Sequence, residues 1–134
     1  MGRVQLARTE EMLARRLELD RMYRAALADI PGTRITPDSR HESSYHLFTL
    51  EIGPEARCSR DEFVEGMYAR GIGVSLHFIP LYRHTYYRKT YGLSRRDYPH
   101  SEEIYKSIVS LPLYSAMSRK DGKKVISAIR EILG

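Results

Sequence analysis

The densest chemistry in this chain lies in the run His77-Phe78-Ile79-Pro80-Leu81-Tyr82-Arg83-His84-Thr85-Tyr86-Tyr87-Arg88. An imidazole such as that of His77 or His84 donates or accepts hydrogen bonds. Arginine presents a planar fork of donors that suits phosphate and carboxylate oxygens. Tyrosine adds a ring for stacking and a hydroxyl. The run, headed by the candidate ligand-binding residues His77, Phe78, Tyr82, Arg83 and His84, begins where a strand should end and side chains can gather on rigid support. A blander reading of the same run makes Phe78, Leu81 and Tyr86 core and His77 a buried imidazole satisfied by the fold.

The surrounding charge is lopsided. Residues 72–100 contain Arg83, Arg88, Lys89, Arg95 and Arg96 against Asp97 alone, and they supply most of the +5 net charge of the 134 residues. The same stretch holds Tyr82, Tyr86, Tyr87, Tyr91 and Tyr98, half of the ten tyrosines. An anion-binding face and a solvated surface over packed rings both fit this pattern. Composition does not separate a nucleic acid from a small phosphorylated ligand.

Other chemistries find less support. His41 and His46 stand five apart and His77 and His84 seven apart, without the close pairs of a zinc site, so no metal site is expected. Cys58, the single cysteine, precedes a helix without a histidine placed beside it, and reads as a bystander that fits a reducing cytoplasm. Gly71-Ile72-Gly73 lacks the third glycine and the following helix of a phosphate loop. No stretch approaches the ~20 apolar residues of a membrane-spanning helix, and Met1-Gly2-Arg3-Val4-Gln5 lacks the apolar segment of a signal peptide. The expectation is one small soluble domain.

The elements that must position the run can be read from spacing. Leu13, Leu17, Leu19, Met22, Tyr23, Ala26, Leu27 and Ile30 recur at helical intervals, predicting a helix from about Thr9 to Ala28, extending back toward Val4 and stopped by Pro31-Gly32. Residues 31–43 read as a polar loop and Tyr45–Ile52 as a strand ended by Gly53-Pro54. Ser59-Arg60-Asp61-Glu62 is a capping box, opening a helix that Gly71 closes. Ile72–Phe78 alternates as a second strand, with Gly73, Ser75 and His77 on one face and Ile72, Val74, Leu76 and Phe78 on the other. A short helix is expected around Tyr82–Tyr91. Pro99 should open another, with Ile104, Ile108, Val109 and Leu111 as its stripe, and Ser118 caps the last. The fold class is α+β, with a small, mostly antiparallel sheet packed with helices.

These segments, taken in order, resemble the C-terminal end of the pyridoxal-phosphate-dependent sugar aminotransferases called DegT/DnrJ/StrS. The resemblance is carried by Gln5-Leu6 before an Arg-rich helix with Arg15-Arg16, Tyr23 and Leu27, then by Ser44-Tyr45-His46-Leu47-Phe48 and Arg60-Asp61. It continues through Gly71–Leu81, Tyr86-Tyr87-Arg88 and Ser110-Leu111-Pro112-Leu113. The family often has a second histidine where this chain has Tyr82, and a Gln-Pro pair where it has His84-Thr85.

What the resemblance implies is specific. The fold would be the small domain of a fold-type I pyridoxal-phosphate enzyme, occupying residues 1–134, with the cofactor-binding large domain absent. The Schiff-base lysine belongs to that large domain, and Lys89, Lys106, Lys120, Lys123 and Lys124 all fall elsewhere. The chain would contribute no catalytic residue and bind no pyridoxal 5'-phosphate by itself. In the intact cytoplasmic homodimer, a nucleotide-sugar substrate and an amino-acid donor are the implied partners, with neither membrane nor nucleic acid. The alternative is an autonomous module binding nucleic acid or a sugar nucleotide.

Overall fold

The computed structural model describes residues 2–37 and 43–134; Asp38, Ser39 and His41 of the sequence reading lie outside them. Helix α1 (Gly2–Ala7) leads into the long α2 (Thr9–Leu27). A three-stranded antiparallel sheet follows in the order β1 (Thr33–Ile35), β2 (Phe48–Ile52), β3 (Ile108–Leu111). Between β2 and β3 come α3 (Arg60–Ala69), α4 (Thr85–Tyr91) and α5 (Pro99–Ser107), and α6 (Arg119–Leu133) ends the chain. Single 3-10 turns occupy Leu81–Arg83 and Arg95–Asp97. This is the α+β architecture the sequence predicts.

The core gathers where spacing placed it. Phe48, Leu50 and Ile52 of β2 are buried with Val109 and Leu111 of β3, against Leu19, Tyr23 and Leu27 of α2, Phe63 and Met67 of α3, and Val125, Ile129 and Leu133 of α6. Each such side chain contributes roughly 1.5–3 kcal/mol through removal from water. The Tyr23 hydroxyl donates to Pro112 O at 2.9 Å and its ring meets the Phe48 ring edge-on. Arg24 links α2 to the sheet, bonding Asp20 and Thr36 O at 2.8 Å each with its guanidinium 5.5 Å over Phe48. Ser59 and Ser118 cap α3 and α6 through reciprocal bonds with Glu62 and Asp121, which hold both carboxyl pKa values below their usual range.

Four predicted boundaries shift, each for a physical reason. The strand expected from Tyr45 begins at Phe48, because Tyr45 adopts a left-handed φ of 46° that interrupts an extended ladder. Thr33–Ile35, expected as loop, pairs with Leu50–Ile52, its two β-branched residues flanking the arginine. The helix stripe expected to run through Leu111 ends at Ser107. Ile108 and Val109 are adjacent β-branched residues, and cross-strand pairing with β2 outweighs their helical spacing. The segment Ile72–Phe78 is extended but meets the sheet only at Ser75, bridged to Ser110. Ile72 and Val74 anchor it in the core, whereas Phe78 of the same predicted face is 79% exposed.

Candidate functional site

The candidate site is the arm from His77 to Tyr91, and its root is built at the end of α3. Gly71, at φ 68°, turns the chain out of the helix, and the Ile72 amide donates back to Met67 O at 3.0 Å. The Tyr68 hydroxyl then holds Val74 O at 2.9 Å. Ser75 exchanges two backbone bonds with Ser110, at 3.1 and 2.8 Å. Two residues on, His77 Nδ1 lies 2.9 Å from Ser110 Oγ, with the imidazole half-buried. Phe78 packs edge-on against that imidazole, centroids 4.8 Å apart, across a cis peptide, and otherwise stands out from the surface.

The other predicted site residues separate from this pair. Tyr82 is buried and stacks on Tyr98, the rings 5.3 Å apart and parallel within 4°. Its hydroxyl makes no hydrogen bond of good geometry; burial, then the nearby Glu102 carboxylate, push its pKa up. Arg83 is bidentate to Glu102, and its guanidinium lies 4.5 Å from the Tyr105 ring centre. Those bonds hold the Glu102 carboxyl below its ordinary range against the opposing effect of burial. Arg60 lies over the same Tyr105 ring at 5.3 Å, so that ring ties α3, α5 and the 3-10 turn together. His84 is exposed at the start of α4, edge-on to Tyr87 at 6.4 Å. Thus His77 and Phe78 face outward together, while Tyr82 and Arg83 fasten the middle of the arm.

Leu81 and Tyr86, core residues in the blander reading, are 55% and 63% exposed. Among the described residues Arg88, Lys89, Arg95 and Arg96 make no ion pair, so their charge is open to an anion. A cleft of about 390 Å³ is lined by Tyr82, Arg83, Arg88, Leu93, Ser94 and Arg95. A larger groove, about 1100 Å³, opens between the β1–β2 ribbon and α5, with Arg95 on its rim too. Spacing did not reveal the fastening residues. Glu102 meets Arg83 across 19 positions and Ser110 meets His77 across 33, separations that no local periodicity reports.

Among the described residues no cluster of three or more histidine, cysteine or acidic side chains could hold a metal ion. Burial raises the Cys58 thiol pKa and the Glu62 carboxylate adds to it, the opposite of an activated nucleophile. The lysines do not fit the pyridoxal phosphate that the resemblance implies. Imine formation needs a lysine desolvated in an enclosed pocket, and all five lysines are exposed, with Lys106 paired to Glu102 at 3.7 Å.

Comparison with known proteins agrees along the whole chain. The profile of the DegT/DnrJ/EryC1/StrS aminotransferase family matches residues 1–130. The spore coat polysaccharide biosynthesis protein SpsC of Bacillus subtilis is 39% identical over 139 residues, covering 99% of this chain and 35% of that protein. Among solved structures, the aminotransferase TlmJ from Streptoalloteichus hindustanus superposes with a TM-score of 0.84 at 28% identity, over 97% of this chain and 34% of TlmJ. DesV of S. venezuelae, solved in complex with a ketimine intermediate, has a TM-score of 0.84 at 27% identity, over 96% of this chain and 34% of DesV. The chain spans about a third of the length of the relatives it matches.

Proposed function

The chain belongs to the DegT/DnrJ/EryC1/StrS aminotransferase family, which is pyridoxal-phosphate-dependent, and from that membership we propose that it serves as the C-terminal small domain of a sugar aminotransferase. The reaction would move an amino group from an amino-acid donor to a keto-sugar carried on a nucleotide, in the biosynthesis of amino sugars for surface polysaccharide. The cofactor, its lysine and the reacting centre would lie outside these residues, in a cytoplasmic homodimer.

Within that assembly the chain's own side chains bind and orient. His77 offers a polar ring nitrogen and Phe78 an apolar face, a pair suited to a sugar with one hydroxylated and one deoxygenated or methylated edge. Arg88, Lys89, Arg95 and Arg96, which make no ion pair among the described residues, would draw in the diphosphate by long-range attraction and charge-assisted hydrogen bonds. One observation carries the reading: His77, tethered to Ser110 through Nδ1, sits beside the most exposed aromatic of the arm, Phe78, at 79%.

The test replaces the matching third of DesV with this chain. The chimera should keep pyridoxal-phosphate absorbance and transaminate a keto-sugar nucleotide. His77→Ala in the chimera should raise KM for the sugar nucleotide about tenfold, equivalent to ~1.4 kcal/mol for one hydrogen bond. A folded, cofactor-loaded chimera indifferent to His77→Ala would refute the assignment of His77 to the sugar.

A further inference from the structure

Ser110 is a polar residue in an apolar setting. It lies between Val109 and Leu111 on β3 and is 3% exposed. Its amide and carbonyl hold Ser75, and the only hydrogen-bond partner of its hydroxyl among the described residues is His77 Nδ1, at 2.9 Å. A buried hydroxyl is costly unless bonded, so the pair is mutually dependent. With Nδ1 engaged toward β3, the other ring nitrogen, Nε2, is turned away from the strand and has no partner among the described residues.

We propose that Ser110 is the positioning residue for His77, holding the imidazole with Nε2 outward in every protonation state. The argument rests on the chemistry of a hydroxyl, which both donates and accepts. When Nδ1 is bare, Ser110 donates to it and Nε2 carries the proton outward. When Nδ1 carries the proton, Ser110 accepts and Nε2 offers a lone pair. In the imidazolium Ser110 again accepts. The ring keeps one orientation throughout. A carboxylate or carbonyl here would enforce the Nδ1–H form and leave neutral Nε2 an acceptor only.

The ligand class this favours is the hydroxyl group, itself donor or acceptor. Such a ligand can be met in either sense without a buried rearrangement. That use rests on the sugar-facing reading of His77 given above, whereas the positioning rests on the chain alone.

The experiment is NMR of the 134-residue chain with labelled histidine rings, without ligand. The wild type should show contacts between the His77 ring and Ser110 β-protons that persist whether the ring is charged or neutral. A ring that loses them on protonation, or never shows them, overturns the proposal. Ser110→Ala should release the ring, with its contact to Phe78 averaged while the amide spectrum stays folded. Ser110→Thr should restore the fixed ring, and Ser110→Val, of the same shape without a hydroxyl, should not. Identical His77 spectra in the threonine and valine variants overturn it. If neither bulkier variant folds, alanine decides: unchanged ring signals in a folded Ser110→Ala chain refute the role of the hydroxyl. No ligand is present, so these spectra stand or fall separately from the kinetics of His77→Ala in the chimera.

Discussion

Two glycines with nearly the same φ allow the route into the arm to be tested against a built-in control. Gly32 has φ 70° and Gly71 has φ 68°. Alanine in this region carries a penalty of roughly 1 kcal/mol at either position. The surroundings differ. A Cβ on Gly71 meets nothing within 4 Å, whereas on Gly32 it falls on the Ala56 amide nitrogen and the Glu55 carbonyl carbon, both backbone atoms. Relief at Gly32 requires displacing the turn that follows β2, which breaks Gly53 N→Gly32 O at 2.8 Å and strains Ala56 N→Gly53 O at 3.2 Å. At about 1 kcal/mol for each bond, Gly32→Ala should lose about 3 kcal/mol and Gly71→Ala about 1. With a urea slope of roughly 2 kcal/mol/M, the unfolding midpoints should fall by about 1.5 M and about 0.5 M. Equal falls would refute the reasoning, since the left-handed angle alone would then account for both. Gly71→Ala should also leave the Ser75–Ser110 bridge intact, so that His77 keeps its amide environment.

Tyr23→Phe removes a buried hydroxyl and leaves Pro112 O without its donor, while the edge contact with Phe48 stays. The expected loss is about 1–2 kcal/mol, read by calorimetry as a Tm lower by roughly 3–8 °C. For acid stability the sign follows from Glu102. Its pKa is lowered by the Arg83 hydrogen bonds, so its contribution is present at neutral pH and disappears as pH falls through the lowered value. Glu102→Gln should therefore be less stable than wild type at neutral pH, with the difference closing below about pH 4. A difference that grows on acidification would refute the clamp.

How much of this was readable in the residues depends on how far apart the interacting groups lie. The capping boxes at Ser59 and Ser118 and the Pro99 helix start are contacts within a few positions, and both their types and their places follow from spacing. The α2 stripe was equally plain in Leu19, Tyr23 and Leu27, which face one core. The errors cluster where tertiary pairing overrules a local period. Ile108 and Val109 fit a helix until β2 offers them a ladder, and Phe78 fits a strand face until the chain leaves the sheet after Ser75. The site shows the same division. Its residue types, histidine, aromatic and arginine, were visible in one run, but their roles were not. Arg83 has the chemistry of an anion ligand and is held by Glu102, while Arg88 and Arg95 have the same chemistry and make no ion pair among the described residues. What distinguishes them is a buried acid 19 residues away. Likewise His77 differs from His84 because β3 brings Ser110 within hydrogen-bond reach of one ring, while the other stands exposed at the start of α4, edge-on to Tyr87. The run therefore supplies the chemistry, and strand β3 with helix α5 decides which of its side chains remain free to use it.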